Sequence, residues 1–273
     1  MRGNNRDPER SIQLSNDRMR GDFLTGHEPH FDFPRFAGEP RPYLLATVPR
    51  SGSSYVANLL WQTGCLGAPL EYINFLPEGP LGDAHGSPSR QVEMWREVLH
   101  TRTSPNDIFG IKAFPNQLAA LQQGNPRLLD AIVRFLLARG DETRVIHLMR
   151  RDREAHAISL ARASLSGVWR KVQEKDNTEE PEFSANALAW AKREIDAQER
   201  IWEAMFRDLR IDPLTIWYED VLADEQGALA RVADYLGVTL DLENTVAIPP
   251  VERQSQAGAK AWREKFERSS DRP

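Results

Sequence analysis

Tyr43-Leu44-Leu45-Ala46-Thr47-Val48-Pro49-Arg50-Ser51-Gly52-Ser53-Ser54-Tyr55 is the stretch on which the reading of the fold turns. Its first six residues are a short apolar run after Pro42, the pattern of a buried strand. Over residues 54–63 the apolar Val56, Leu59 and Leu60 recur at helical spacing, and Gly64 ends the helix. Between the two lies a loop of small residues. At such a strand-to-helix turn backbone N–H groups can approach an anion, and the helix dipole adds to the attraction. Ser51, Ser53 and Ser54 add hydroxyl donors, and Arg50 adds a cation that forks onto phosphate oxygens. By itself the loop reads equally well as a Ser/Gly turn with a serine N-cap. It is not a Walker A element, because it lacks the Gly-Lys pair that reaches terminal phosphates.

Outward from this loop, apolar runs at 108–114, 143–149 and 214–218 read as three more strands. Helical spacing covers 92–100, 116–123, 127–138, 153–164, 184–207 and 226–236, and the charged tail ends in a further helix. Strands alternating with helices imply an α/β fold, a central and mainly parallel sheet flanked by helices in three layers. Ligands bind such sheets outside the carboxyl ends of the strands. The loop, the residues after the second strand and the Met149-Arg150-Arg151 turn then converge on one crevice. Residues 1–40 are polar and charged, and read as an extension that is partly disordered or draped over a surface, with a dimer arm or a lid as alternatives. Residues 41–273 read as one domain.

Composition narrows the function. The 273 residues carry a formal charge of −5, with a pI near 5.8, which argues against a general nucleic-acid binder. The lone Cys65 rules out an intrachain disulfide and cysteine-pair zinc sites, fits a reducing cytoplasm, and reads as a buried small hydrophobe. Residues 1–30 lack the apolar run of a signal peptide, and no apolar stretch is long enough to span a membrane. The six histidines show no metal-ligand spacing, so no metal is expected.

Three further features bear chemistry. Arg150 and Arg151 at a strand end can hold a phosphate away from the loop, and Ser159 lies on the next helix; the plain alternative is a solvated charged turn. In Leu70-Glu71-Tyr72-Ile73-Asn74 an isolated carboxylate has the character of a general base, or of an exposed loop glutamate. Lys112 is a cation suited to developing charge, or an edge-strand lysine. His147 reads as core or support, and Trp190 and Trp202 as core. Trp169-Arg170 suits an acceptor site, since an aromatic face fits a sugar.

Together these residues resemble the bacterial sulfotransferases that use 3′-phosphoadenosine 5′-phosphosulfate, above all the trehalose 2-sulfotransferase type. The matching strings are Pro-Arg-Ser-Gly-Ser-Ser at 49–54, Leu-Glu-Tyr at 70–72 and Gly-Ile-Lys at 110–112. They continue with Arg150, Asp152, Ser159, Arg162, Val168-Trp169-Arg170 and Val251-Glu252-Arg253-Gln254. The resemblance runs from about Tyr43 to Phe266 and implies a P-loop-like fold. It implies that the loop from Arg50 to Tyr55 holds the 5′-phosphosulfate. Arg150 and Ser159 hold the 3′-phosphate, and Arg253 and Gln254 close over the nucleotide. Glu71 is then the base for in-line attack by an acceptor hydroxyl, with Arg50 and Lys112 offsetting charge on the departing adenosine 3′,5′-bisphosphate. Glu71, Tyr72, Trp169 and Arg170 would face the acceptor, a glycan, glycolipid or small metabolite. Homodimers also occur in the family. Ala68 stands where the trehalose type has Glu, Arg151 where it has Pro, and residues 72–90 differ, so trehalose itself does not carry over. A phosphate-loop small-molecule kinase and a non-catalytic nucleotide-binding protein are the competing readings.

Overall fold

The computed structural model describes residues 25–77, 79–169, 180–243, 245–249 and 256–270. Contacts divide the chain into two compact units. The larger comprises Leu24–Arg151 and Gln198–Pro250, and the smaller Met1–Phe23, Asp152–Ala197 and Val251–Pro273.

The larger unit holds a parallel sheet of four strands, β1 (Arg41–Ala46), β2 (Ile108–Ala113), β3 (Val145–Met149) and β4 (Leu214–Trp217). Their order is β2-β1-β3-β4. β1 starts two residues before the apolar run, because Arg41 already pairs with Ile108 and its N–H donates to Asp107 O at 2.8 Å. Strands buried on both faces read as unbroken apolar runs, which is why they stood out in the sequence. On one face Tyr43, Leu45, Ile146, Leu148 and Ile216 pack with Val56 and Leu60 of helix α1 (Ser53–Gln62) and with later helical residues such as Val232. On the other face Phe206 meets His147 edge-on, at 5.2 Å between ring centroids. Burial lowers the His147 pKa to about 4, so the residue is a neutral part of the core.

Between β1 and β2 comes α2 (Pro88–Thr101), and after β2 come α3 (Pro115–Gly124) and α4 (Pro126–Leu137). β1 has β2 on one side and β3 on the other, so the crossover direction reverses beside β1, and crevices form at such points. β2 lies at the sheet edge, and its open side is covered from the segment after α1. Leu70 bridges Ile111, and Lys112 N–H donates to Leu70 O at 3.0 Å. This short pairing brings Glu71 alongside Lys112.

Two points in this unit bear on the sequence expectations. The first is that residues 25–36, part of the extension expected to be partly disordered or draped over a surface, are packed on it. The buried Arg102 guanidinium donates to Gly26 O at 2.8 Å and Glu28 O at 3.1 Å, and pairs with Asp32 at 2.9 Å. A buried cation needs that many acceptors, and they all lie in this segment. The second is at β4, which ends at Trp217, one residue early. Tyr218 opens a short helix whose first turn carries Glu219 and Asp220, favourable charges at a helix N-terminus.

In the smaller unit helix α5 (Arg153–Ser166) is capped by Asp152, whose carboxylate accepts from Ala155 N–H at 2.8 Å, and it ends at a left-handed Gly167. The helix Gln256–Ser270 packs on it. Arg263 pairs with Asp152 at 2.8 Å and Glu154 at 3.2 Å. Trp262 donates its indole N–H to Pro181 O at 3.0 Å. The long helix Ala185–Leu209 carries residues of both units.

Candidate functional site

The loop after β1 is held by its own side chains. Thr47 donates its hydroxyl to Leu148 O at 3.0 Å, which leaves Thr47 Oγ1 to accept from Ser51 Oγ at 2.7 Å. Trp202 donates its indole N–H to Thr47 O at 2.7 Å. The chain then turns through two left-handed residues, Arg50 at φ 66° and Gly52 at φ 91°. Gly52 is the N-cap of α1, and no side chain caps that terminus. The opening N–H groups of α1 have no intrahelical acceptors by geometry, so the helix start favours an anion.

Glycine is required at position 52 for two reasons. The left-handed φ strains any L residue, and a Cβ there would overlap the Tyr218 ring. That ring also lies under the Arg150 guanidinium, 5.4 Å away. Gly52→Ala is therefore expected to lower stability by about 1–3 kcal/mol and to weaken binding of a phosphorylated nucleotide about tenfold. Thermal unfolding and calorimetric titration check the two effects.

Glu71 is the centre of the second element. Its Oε1 lies 3.0 Å from Lys112 Nζ, while Oε2 accepts from Asn74 Nδ2 at 2.9 Å and from Gln117 Nε2 at 2.8 Å. These partners are all donors, and that arrangement suits an ionised carboxylate, the form a general base needs. Lys112 is only 3% exposed at its side chain and Glu71 16%, so the pair is shielded from bulk water. Lys112 Nζ also donates to Ser54 Oγ at 3.3 Å. A carboxylate, an ammonium and the first turn of α1 therefore form one connected chain. Lys112 is not a solvated edge lysine, because the Leu70 segment covers that edge.

Arg150 reaches the loop from β3, its guanidinium donating to Arg50 O at 3.2 Å. It lies against the loop rather than away from it. Glu219 approaches the same guanidinium at 4.0 Å and accepts from Arg151 N–H at 3.0 Å.

Several of the expected residues have partners of their own within the protein. Arg151 ion-pairs with Asp220 and stacks on Trp217 at 5.0 Å, so it serves the surface. Tyr72 is fully buried with its hydroxyl donating to Ala68 O, and burial raises its pKa well above the ordinary range. An acceptor therefore cannot rest on that side chain. The Ser51 hydroxyl is turned inward to Thr47, and its backbone N–H donates to Val48 O at 3.4 Å. Ser53 is buried as well, and Ser54 is exposed.

Arg50, Gly52, Ser54, Tyr55, Glu71, Lys112 and Arg150 all fall in the larger unit. Ser159 and Trp169 belong to the smaller one, on α5 and just beyond it. Arg170, Arg253 and Gln254 lie outside the described residues. The sequence reading passed over Thr47, Asn74, Gln117, Trp202 as an anchor, Tyr218 and Glu219. Asn74 stands three residues after Glu71, within the segment that drew notice. Gln117 has no such signal, since it comes from a different helix. Among the described residues no cluster of three or more ligating side chains is present for a metal, and no helix is long and apolar enough to cross a membrane.

Residues 42–269 match the family model described as Stf0 sulphotransferase. The chain is 29% identical over 264 residues to a trehalose 2-sulfotransferase of Mycobacterium tuberculosis, covering 85% of this chain and 96% of that protein. It is 26% identical over 261 residues to the trehalose 2-sulfotransferase of Mycolicibacterium smegmatis, covering 85% and 97%. Among solved structures it is similar to the sulfotransferase domain of a Synechococcus olefin synthase, with a TM-score of 0.43, 17% identity, and coverage of 76% and 77%.

Proposed function

The chain belongs to the Stf0 sulphotransferase family, and from that premise we propose that it moves a sulfuryl group from 3′-phosphoadenosine 5′-phosphosulfate to a hydroxyl of a carbohydrate, glycolipid or small metabolite. The observation that carries this reading is the connected chain Glu71, Lys112 and Ser54, which ties a shielded carboxylate to the start of α1. The donor supplies the sulfuryl group. The left-handed turn at Arg50 and Gly52 and the uncapped helix start suit its phosphosulfate end. Arg150 would take its 3′-phosphate.

In this scheme Glu71 takes the proton of the acceptor hydroxyl as the oxygen–sulfur bond forms. The bond from sulfur to the nucleotide phosphate breaks, releasing adenosine 3′,5′-bisphosphate and a sulfate ester. Lys112, between the carboxylate and the helix start, offsets negative charge as it moves from one to the other. Arg50 adds a second cation on the loop.

The test has two parts. Calorimetric titration with adenosine 3′,5′-bisphosphate, AMP and ATP is expected to show a clear preference for the bisphosphate. Incubation with the sulfated donor and a panel of sugars, with trehalose first because two relatives carry its name, is expected to give a sulfated product by mass spectrometry. No preference and no product would overturn the reading; magnesium-dependent ATP turnover would restore the kinase alternative.

Arg150→Ala is expected to weaken the bisphosphate by about tenfold or more, the worth of a charge-assisted contact, and AMP far less. Equal weakening of both nucleotides would remove Arg150 from the 3′-phosphate site.

A further inference from the structure

Glu71 is held by two carboxamides as well as by its lysine, and we propose that Gln117, seconded by Asn74, is a positioning residue that fills Glu71 Oε2 and so directs the acceptor proton to Oε1. The inference rests on Glu71 being the base. A carboxylate oxygen has two lone pairs. Those of Oε2 are met by Gln117 Nε2 at 2.8 Å and Asn74 Nδ2 at 2.9 Å. Oε1 is the oxygen beside Lys112 Nζ, 3.0 Å away, and the ammonium also reaches Ser54 on α1. Proton uptake is thus steered to the side of the carboxylate that faces the donor loop.

The two carboxamides differ in how firmly they are set. Gln117 is 1% exposed and tied at both ends, because Phe114 N–H donates to its Oε1 at 3.1 Å. Position 117 is the third residue of α3, and Pro115 at the helix start holds the turn in shape. Asn74 Oδ1 is buried with no hydrogen-bond partner, so Asn74 is tied through its amide nitrogen alone. Gln117 is therefore the stiff member, and Asn74 the yielding one.

Gln117→Glu tests the assignment with little change in shape. The new carboxylate keeps the acceptor for Phe114 N–H, so a purely structural role in capping α3 is preserved. It replaces a donor on Oε2 with a second negative charge. The new Glu at 117 then stands on Oε2 beside the neutral Asn74, with the Lys112 ammonium on Oε1. Two adjacent carboxylates share a proton, and one Lys112 ammonium faces the pair. The ionised base then appears only at higher pH. The acid limb of the kcat profile is expected to move up by about 1–2 pH units. At pH 6 kcat falls about tenfold or more for the same reason. Affinity for adenosine 3′,5′-bisphosphate, measured by calorimetry, stays close to the parent's.

Asn74→Asp places the same charge on the same oxygen and serves if the first variant does not fold; its limb is expected to move in the same direction. Glu71→Gln is measured alongside. If Glu71→Gln keeps the parent's turnover, the base reading fails and the clamp with it. If Glu71→Gln is inactive while both acidic variants keep the parent's pH profile, the clamp alone is wrong.

Discussion

Glu71→Gln lowers kcat by about 10²–10⁴-fold, the range for loss of a general base, while leaving affinity for adenosine 3′,5′-bisphosphate nearly unchanged. The substitution keeps the length and shape of the side chain. Its amide oxygen can still accept from Asn74 and Gln117, so the loop after α1 keeps its anchor. What disappears is the ability to take a proton at the atom beside Lys112. In the proposed scheme the donor is held by separate groups, the loop at 49–54 and Arg150, and so binding is expected to stay while the chemical step slows. Steady-state rates in a sulfated-product assay, paired with titration of the bisphosphate, separate the two. A loss of nucleotide affinity as large as the loss of rate would show Glu71 to be a structural residue of the loop.

Lys112→Met has the largest expected effect on stability. It removes the ammonium that lies 3.0 Å from the Glu71 carboxylate, which is 16% exposed and held on its other oxygen by two carboxamides. Breaking a buried pair from one side costs about 3–5 kcal/mol, and partial solvent access to Glu71 puts the expectation at the lower end, about 3 kcal/mol. Lys112→Met combined with Glu71→Gln is expected to recover most of that loss, because the carboxylate that faced the ammonium has gone as well. Urea unfolding of the parent, both single variants and the double variant closes the cycle. A cost below about 1 kcal/mol for Lys112→Met would mean that the pair behaves as an exposed one. Turnover of Lys112→Met falls as well, since the cation between base and loop is lost.

Much of this molecule was legible along the chain. Three of the four strands show as apolar runs because they are buried along nearly their whole length, β4 less so, and the loop at 49–54 shows as a cluster of small residues at a strand-to-helix turn. Helix α1, its stop at Gly64, and the alternation that defines an α/β fold are local patterns of a few residues. Glu71 and Lys112 drew notice as charges standing in apolar company. Their meeting did not follow, because 40 residues lie between positions 71 and 112 in the chain and the bridge of Leu70 to Ile111 is a long-range pairing.

The sequence by itself determined the class of fold, the position of the small-residue loop at 49–54 and the residue types of the candidate site, since each rests on short-range periodicity and on side-chain chemistry. Only the tertiary structure decided the strand order β2-β1-β3-β4, the covering of the β2 edge, the inward turn of Ser51 and Tyr72, the anchoring of residues 25–36 by Arg102, and the grip of Gln117 and Asn74 on one oxygen of Glu71. These depend on which surfaces meet when the chain packs. A hydrogen bond is set by distances of about 3 Å between groups that sequence separation does not constrain.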